Sequence, residues 1–176
     1  MINASSSQPS NVCAQKIVVT AGASGIGLAI AQKFLSQGAQ VFICDVAPQT
    51  LELALIENEG LKGAVADVGA PSSVETFFKD ALNVMGGIDV LVNNAGIGGS
   101  RIRTEDIDYT DWDDCIRINL SGMFYCAKQV VPAMKAQGSG CIINIATSSA
   151  KTGLPYRLPY VVSKVGVLGL SHNLAR

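Results

Sequence analysis

The sequence predicts an α/β domain: a doubly wound parallel sheet with helices on both faces. Three observations carry this expectation. Strand-like and helix-like segments alternate strictly, a glycine-rich turn follows the first strand, and an aspartate ends the second.

The elements follow in order. "KIVVT" (Lys16–Thr20) is a short β-branched run that enters the glycine turn. "IGLAIAQKFLSQG" places Ile26, Ile30 and Phe34 at helical spacing, and Gly38 stops it. "QVFICD" (Gln40–Asp45) reads as the second strand, and 48–58 as a helix opened by Pro48 and closed near Gly60. "KGAVADV" (62–68) reads as the third strand. In "PSSVETFFKDALNVMGG", Ser72 or Ser73 is expected to cap the next helix. "IDVLVNNAG" (88–96) is a fourth strand running into a turn. A long amphipathic helix is expected over about 110–137, a fifth strand at "CIINIA" (141–146), and a last helix from near Tyr160, still running at Arg176. Repeats, low-complexity tracts and linkers are absent, so residues 16–176 read as one domain behind a polar, frayed lead over 1–15.

The chain has 176 residues, 48% hydrophobic and 15% charged, with a net charge of −1. That balance gives no general attraction to nucleic acid or an anionic membrane. The apolar runs are too short to span a bilayer, and "MINASSSQPSNVCAQ" has no apolar core of a signal peptide. Five cysteines (Cys13, Cys44, Cys115, Cys126, Cys141) share no C-x-x-C spacing and read as reduced, buried thiols of a cytoplasmic protein. No His/Cys/Asp cluster has metal-ligand spacing, and the lone His172 reads as a packing or interface residue.

"TAGASGIG" (20–27) lies where a phosphate site belongs, with Gly22, Ser24, Gly25, Ile26 and Gly27 leading into the first helix. Backbone must approach a pyrophosphate closely there, and the helix N-terminus offers unpaired N–H groups and positive dipole. Asp45, twenty residues past Gly25, is placed to accept hydrogen bonds from an adenosine ribose diol and to repel a 2′-phosphate. No Arg or Lys stands in the turn or just after Asp45, which favours NAD over NADP.

Taken together, these motifs resemble the short-chain dehydrogenase/reductase family from Lys16 to Arg176. The family turn T-G-x-x-x-G-x-G is matched at 20–27, except that Ala21 stands at the first glycine and Gly22 is expected to supply the backbone freedom. "DV" (Asp67, Val68) resembles the pair that flanks the adenine. "NNAG" resembles the strand-four signature, and the likeness implies sheet support and cofactor contact from Asn94, Ala95 and Gly96. "INLSG" carries Asn119 at the family's active-site asparagine, and "YVVSK" is its Y-x-x-x-K. The resemblance implies a Rossmann-like sheet whose C-terminal strands lie beyond this chain. It also implies a small alcohol or carbonyl substrate, and a homo-oligomer, a tetramer, assembled through the long helix and the last one.

Tyr160 and Lys164 stand four residues apart and share a helical face. A free phenol titrates near about 10. A neighbouring ammonium and an oxidised nicotinamide favour the phenolate, so Tyr160 can take the proton of an alcohol as hydride leaves. By the resemblance, Lys164 also holds the nicotinamide ribose, and Asn119 steadies a proton-relaying water. The family's polarising serine, thirteen residues before the tyrosine, falls on Thr147, with Ser148 the alternative. Tyr156 lacks a lysine four residues on and reads as a loop or substrate-pocket residue. Two other functions stay open on the sequence: an NADP(H)-linked reductase of the 3-oxoacyl carrier-protein type, and a dinucleotide-binding regulatory protein without turnover.

Overall fold

The computed structural model describes residues 15–176, so Cys13 and the lead segment, apart from Gln15, lie outside the described residues. Five strands form one all-parallel sheet: β1 (Lys16–Thr20), β2 (Gln40–Asp45), β3 (Lys62–Val65), β4 (Val90–Asn93) and β5 (Cys141–Asn144), in the order β3-β2-β1-β4-β5. The chain winds outward from β1 to β3, then crosses back to β4 on the other side of β1. The crevice at the carboxyl ends of β1 and β4 is therefore the topological switch point.

Alternation along β1 decides which face each residue serves. Val18 joins a core with Phe77 and Phe78 of α3 (Pro71–Met85) and with Cys126 and Val130 of α5 (Gly122–Gln137). Ile17 and Val19 point the other way, to Ala31 of α1 (Gly25–Ser36) and Leu51 of α2 (Pro48–Glu57). Both faces of the central strands β1, β2 and β4 are thus covered, which is why they are mostly apolar, whereas the edge strands β3 and β5 are partly exposed. A last helix, α7 (Leu158–Leu174), packs on α4 (Tyr109–Ile116) and on the turn that follows it. Among the described residues, no helix is long and apolar enough to cross a membrane.

Several expectations need correction. β3 to β5 stop two or three residues short of the predicted ends, because the chain leaves the ladder to build the crevice. Neither Ser72 nor Ser73 caps α3. Pro71 occupies the first turn, where its missing N–H is no loss, and the N-cap is Ala70. Ser73 Oγ instead accepts the Asp67 N–H at 3.0 Å. The long helix is interrupted by a π-helical turn at Arg117–Ser121. α7 starts at Leu158, two residues before the expected Tyr160, and ends at Leu174, short of Arg176. Cys44, Cys115 and Cys126 are buried free thiols, whereas Cys141 opens the edge strand β5 and is exposed. His172 is exposed on the last turn of α7 and packs into no core.

Candidate active site

The glycine turn leaves β1 with Ala21 in the left-handed region, φ 49°. Gly22 does not supply that freedom. It is glycine because a Cβ there would lie 2.6 Å from Ile43 Cγ2 of β2, and its N–H is held by the Cys44 carbonyl at 2.9 Å. Gly27 is excluded from carrying a side chain by the Ala21 carbonyl and by Asn94 Nδ2, which lies 2.6 Å from its ideal Cβ. Asn94 Nδ2 in turn donates to the carbonyls of Thr20 and Ala21 at 3.0 and 3.1 Å, tying β4 to the turn. Ser24 heads α1 without a side-chain cap and no acid stands in the first turn. The helix N-terminus is open, and Ile26 beside it is an apolar side chain 67% exposed.

Next to the turn lies a cavity of about 180 Å3 lined by Asp45, Asp67, Val68, Ala95, Gly96 and Arg117. Asp45 Oδ1 accepts the Ala47 N–H at 3.2 Å. Asp67 is more heavily engaged. Its Oδ1 accepts the Gly69 N–H at 2.8 Å, and its Oδ2 accepts Arg117 Nη1 at 2.9 Å. Arg117 also pairs with Asp114 at 3.0 Å, and the two carboxylates raise its already high pKa. Burial pushes the Cys44 thiol behind this cavity up to about 12, so it stays a neutral wall atom.

The other end of the crevice is polar and buried. Asn119, in the π-helical turn, is fully buried. Its Oδ1 accepts the Ile97 N–H at 2.7 Å, and its Nδ2 donates to the Ile97 carbonyl at 2.9 Å and to Ser163 Oγ at 3.0 Å. Ser163 Oγ donates to the Tyr160 carbonyl at 2.7 Å, so the π turn is linked to the first turn of α7. Lys164 is 4% exposed, and its Nζ donates to the Ile145 carbonyl at 2.7 Å. Burial lowers its pKa. A Cβ placed on Gly96 would lie 3.1 Å from Asn119 Oδ1 and 3.4 Å from Lys164 Nζ, so these two side chains converge over one glycine.

Tyr160 is half-buried on α7, one turn before Lys164. Thr147, two residues after Ile145, is half-buried, and its Oγ1 accepts the Ser149 N–H at 3.3 Å. Ser148 is exposed and heads the one-turn α6 (Ser149–Thr152) without capping it. Tyr156 stands apart from the Asn119–Lys164 pair. It is exposed, has φ 62°, and lines a second cavity of about 590 Å3 with Arg103, Leu154 and Val161. Arg103 there is neutralised by Asp106 at 3.0 Å and Glu105 at 3.6 Å. Among the described residues, no group of three acidic, cysteine or histidine side chains could hold a metal.

Sequence reasoning missed Arg117, Ser163 and the π turn. Arg117 stands two residues before Asn119, but nothing local to that spacing shows that its partner is fifty residues away on the β3 side. Ser163, immediately before Lys164, was visible only as part of the Y-x-x-x-K run.

The comparisons with known proteins bear on this arrangement. The family model described as short chain dehydrogenase matches residues 15–176. The chain is 38% identical over 162 residues to the short-chain dehydrogenase/reductase olcF of Penicillium canescens, covering 92% of this chain and 62% of that protein. It is 33% identical to a 2-dehydro-3-deoxy-L-rhamnonate dehydrogenase (NAD(+)) of Sphingomonas sp., covering 90% and 64%. A crystal structure of an actinorhodin polyketide ketoreductase with NADPH superposes with a TM-score of 0.88 at 35% identity, covering 94% of this chain and 67% of that one. The chain thus spans a little under two thirds of the length of these curated relatives. It belongs to the short-chain dehydrogenase/reductase family of nicotinamide-dependent oxidoreductases.

Proposed function

We propose that this chain carries the cofactor cleft and the acid–base residues of an NAD(H)-linked oxidoreductase that interconverts a secondary alcohol and a ketone. The carrying observation is the convergence of Asn119 and Lys164 over Gly96, with Tyr160 one turn before Lys164 on the same helix. The crevice fits a dinucleotide. A Cβ placed on Gly25 would meet nothing within 4 Å, the N-terminus of α1 is uncapped, and Ile26 is left exposed beside it. A bound nicotinamide supplies the hydride acceptor, or the donor in the reverse direction.

The remaining work falls to the protein. Tyr160 Oη takes the hydroxyl proton as the carbon–hydrogen bond breaks, or returns it to the ketone oxygen in reverse. Lys164, held in place through Ile145, offers an ammonium to the Tyr160 phenolate and to a ribose hydroxyl. Thr147 Oγ donates to the reacting oxygen, and exposed Ser148 is the alternative donor. Asn119 spends its side chain on Ile97 and Ser163, so its role is to hold the crevice floor and the π turn, with the relay water placed through the backbone there.

For the cofactor, Asp45 in the adenosine cavity supports NAD(H). Arg117 lines the same cavity, which favours the NADP(H) reading, but its charge is taken up by Asp67 and Asp114. Exposed Phe124 on α5 and exposed Val162 and Val165 on α7 support a homo-oligomer, a tetramer by family likeness. Three buried free thiols fit a reducing, cytoplasmic setting. The functional test is a screen of the full-length protein for NAD+ reduction, followed by absorbance, with polyols, sugars, hydroxy acids and hydroxyacyl thioesters. Turnover of one class with NAD+ supports the reading, and absence of turnover with either cofactor across all classes overturns it.

A further inference from the structure

We infer that Arg157 is a positioning residue: it latches the loop after β4 to the start of the helix that carries Tyr160. This rests on the function proposed above, since the loop and the helix are two walls of the same crevice.

The latch is a single guanidinium nitrogen. Arg157 Nη1 donates to the Gly98 carbonyl at 2.9 Å and to the Gly99 carbonyl at 2.7 Å. The loop it grips is unusually bare. Gly99 has φ 64°, and a Cβ there would lie 2.7 Å from Cys115 Sγ, while a Cβ on Gly98 would lie 2.8 Å from Arg157 Nη1 itself. Glycine at both positions lets the two carbonyls turn toward one donor.

Three separate elements hold consecutive residues of this loop. Asn119 in the π turn holds both polar backbone groups of Ile97. Asp111 of α4 accepts the Ser100 N–H at 3.1 and 3.2 Å and the Ser100 hydroxyl at 2.6 Å. Between them, Gly98 and Gly99 are held by Arg157, and of the three only Arg157 lies on the chain leading into Tyr160. It therefore ties Gly98 and Gly99 directly to the start of α7, beside the path that runs from Ile97 through Asn119 to Ser163.

Local preference does not explain an arginine at this place. Arg157 is the N-cap of α7, where a short oxygen-bearing side chain is favoured and a cation opposes the helix dipole. A residue that breaks a local rule and makes two long-range bonds is retained for those bonds. Since a displacement of about 1 Å at a reacting group costs up to about 10²-fold in rate, loosening the latch acts on turnover more than on binding.

The test uses the full-length protein with Arg157→Met, and with Arg157→Lys as a milder second variant that keeps a donor. We expect Arg157→Met to lower kcat by about 10- to 100-fold, with KM and the NAD+ dissociation constant within about threefold of the parent. We also expect faster amide exchange at residues 98–100 and in the first turn of α7, with the sheet unchanged. Arg157→Lys should shift each reading the same way by less. The inference is overturned if exchange at 98–100 is unaltered, if kcat stays within about twofold of the parent, or if kcat and cofactor affinity fall together. The exchange reading decides the latch even if the parent shows no turnover, which would instead refute the proposed activity.

Discussion

Lys164 Nζ donates to the Ile145 carbonyl across 2.7 Å, joining α7 to the chain just two residues before Thr147. One buried ammonium thus ties together the helix of Tyr160 and the segment with the candidate polarising hydroxyl. Burial has a measurable consequence. It lowers the Lys164 pKa in the folded state. Between that lowered value and the ordinary lysine value of about 10.4, the unfolded chain binds the extra proton, so this group makes stability rise with pH. Below the window the cost of the buried charge is present in full. Urea unfolding of parent and Lys164→Met across this range should show the parent gaining on the variant as pH rises, and parallel profiles would contradict it.

Asp45 closes β2 in the cavity proposed for the adenosine, and Arg117, which lines the same cavity, is committed to Asp67. NAD(H) should therefore bind at least about tenfold tighter than NADP(H), or about 1.4 kcal/mol. Asp45→Asn should narrow that gap by removing the repulsion toward a 2′-phosphate. Titrations of cofactor fluorescence decide the point, and equal affinities in the parent would refute the assignment.

Ala21 carries φ 49°, a conformation that costs a residue with a Cβ about 1–2 kcal/mol. Its methyl touches the α3/α5 core, so replacement by glycine loses some burial while relieving strain. Ala21→Gly should be neutral to about 0.5 kcal/mol stabilising, and Ala21→Val destabilising by more than about 1 kcal/mol. Chemical unfolding of both variants checks the order, and a stable Ala21→Val would contradict it.

The layout of the fold was legible because its signals are local. The β-branched run before the glycine turn and the apolar run ending in Asp45 placed β1 and β2 at their observed ends, and Pro48 marked the start of α2. What was illegible depends on distant groups. The π turn exists where Asn119 is drawn to Ile97 and Ser163, and neither partner is near it in sequence. The left-handed residue is Ala21, whereas Gly22 is glycine because a Cβ there would meet Ile43 across the β1–β2 pair. Ser73 was spent on Asp67, leaving Pro71 to open α3. Asn119 and Lys164 were recognisable from motif, but their meeting over Gly96 was not.

Thr147 is half-buried where Ser148 is exposed, which favours Thr147 as the hydroxyl donor to the reacting oxygen. Thr147→Val should cut kcat by about 10²–10³-fold, the usual worth of such a donor. Thr147→Ser should keep or raise kcat, since it retains Oγ and frees χ1, and Ser148→Ala should be mild. A collapse in Ser148→Ala with Thr147→Val near normal would move the role to Ser148.

The most direct measurement is Tyr160→Phe in the full-length protein, scored by kcat and by NAD+ affinity on the same preparation. Loss of the phenolic proton acceptor should lower kcat by about 10²–10⁴-fold, while the dissociation constant of NAD+, assigned in the proposed function to the glycine turn and Asp45, should stay within about threefold. Turnover within about tenfold of the parent would show that another group moves the proton, and the proposed mechanism would be wrong.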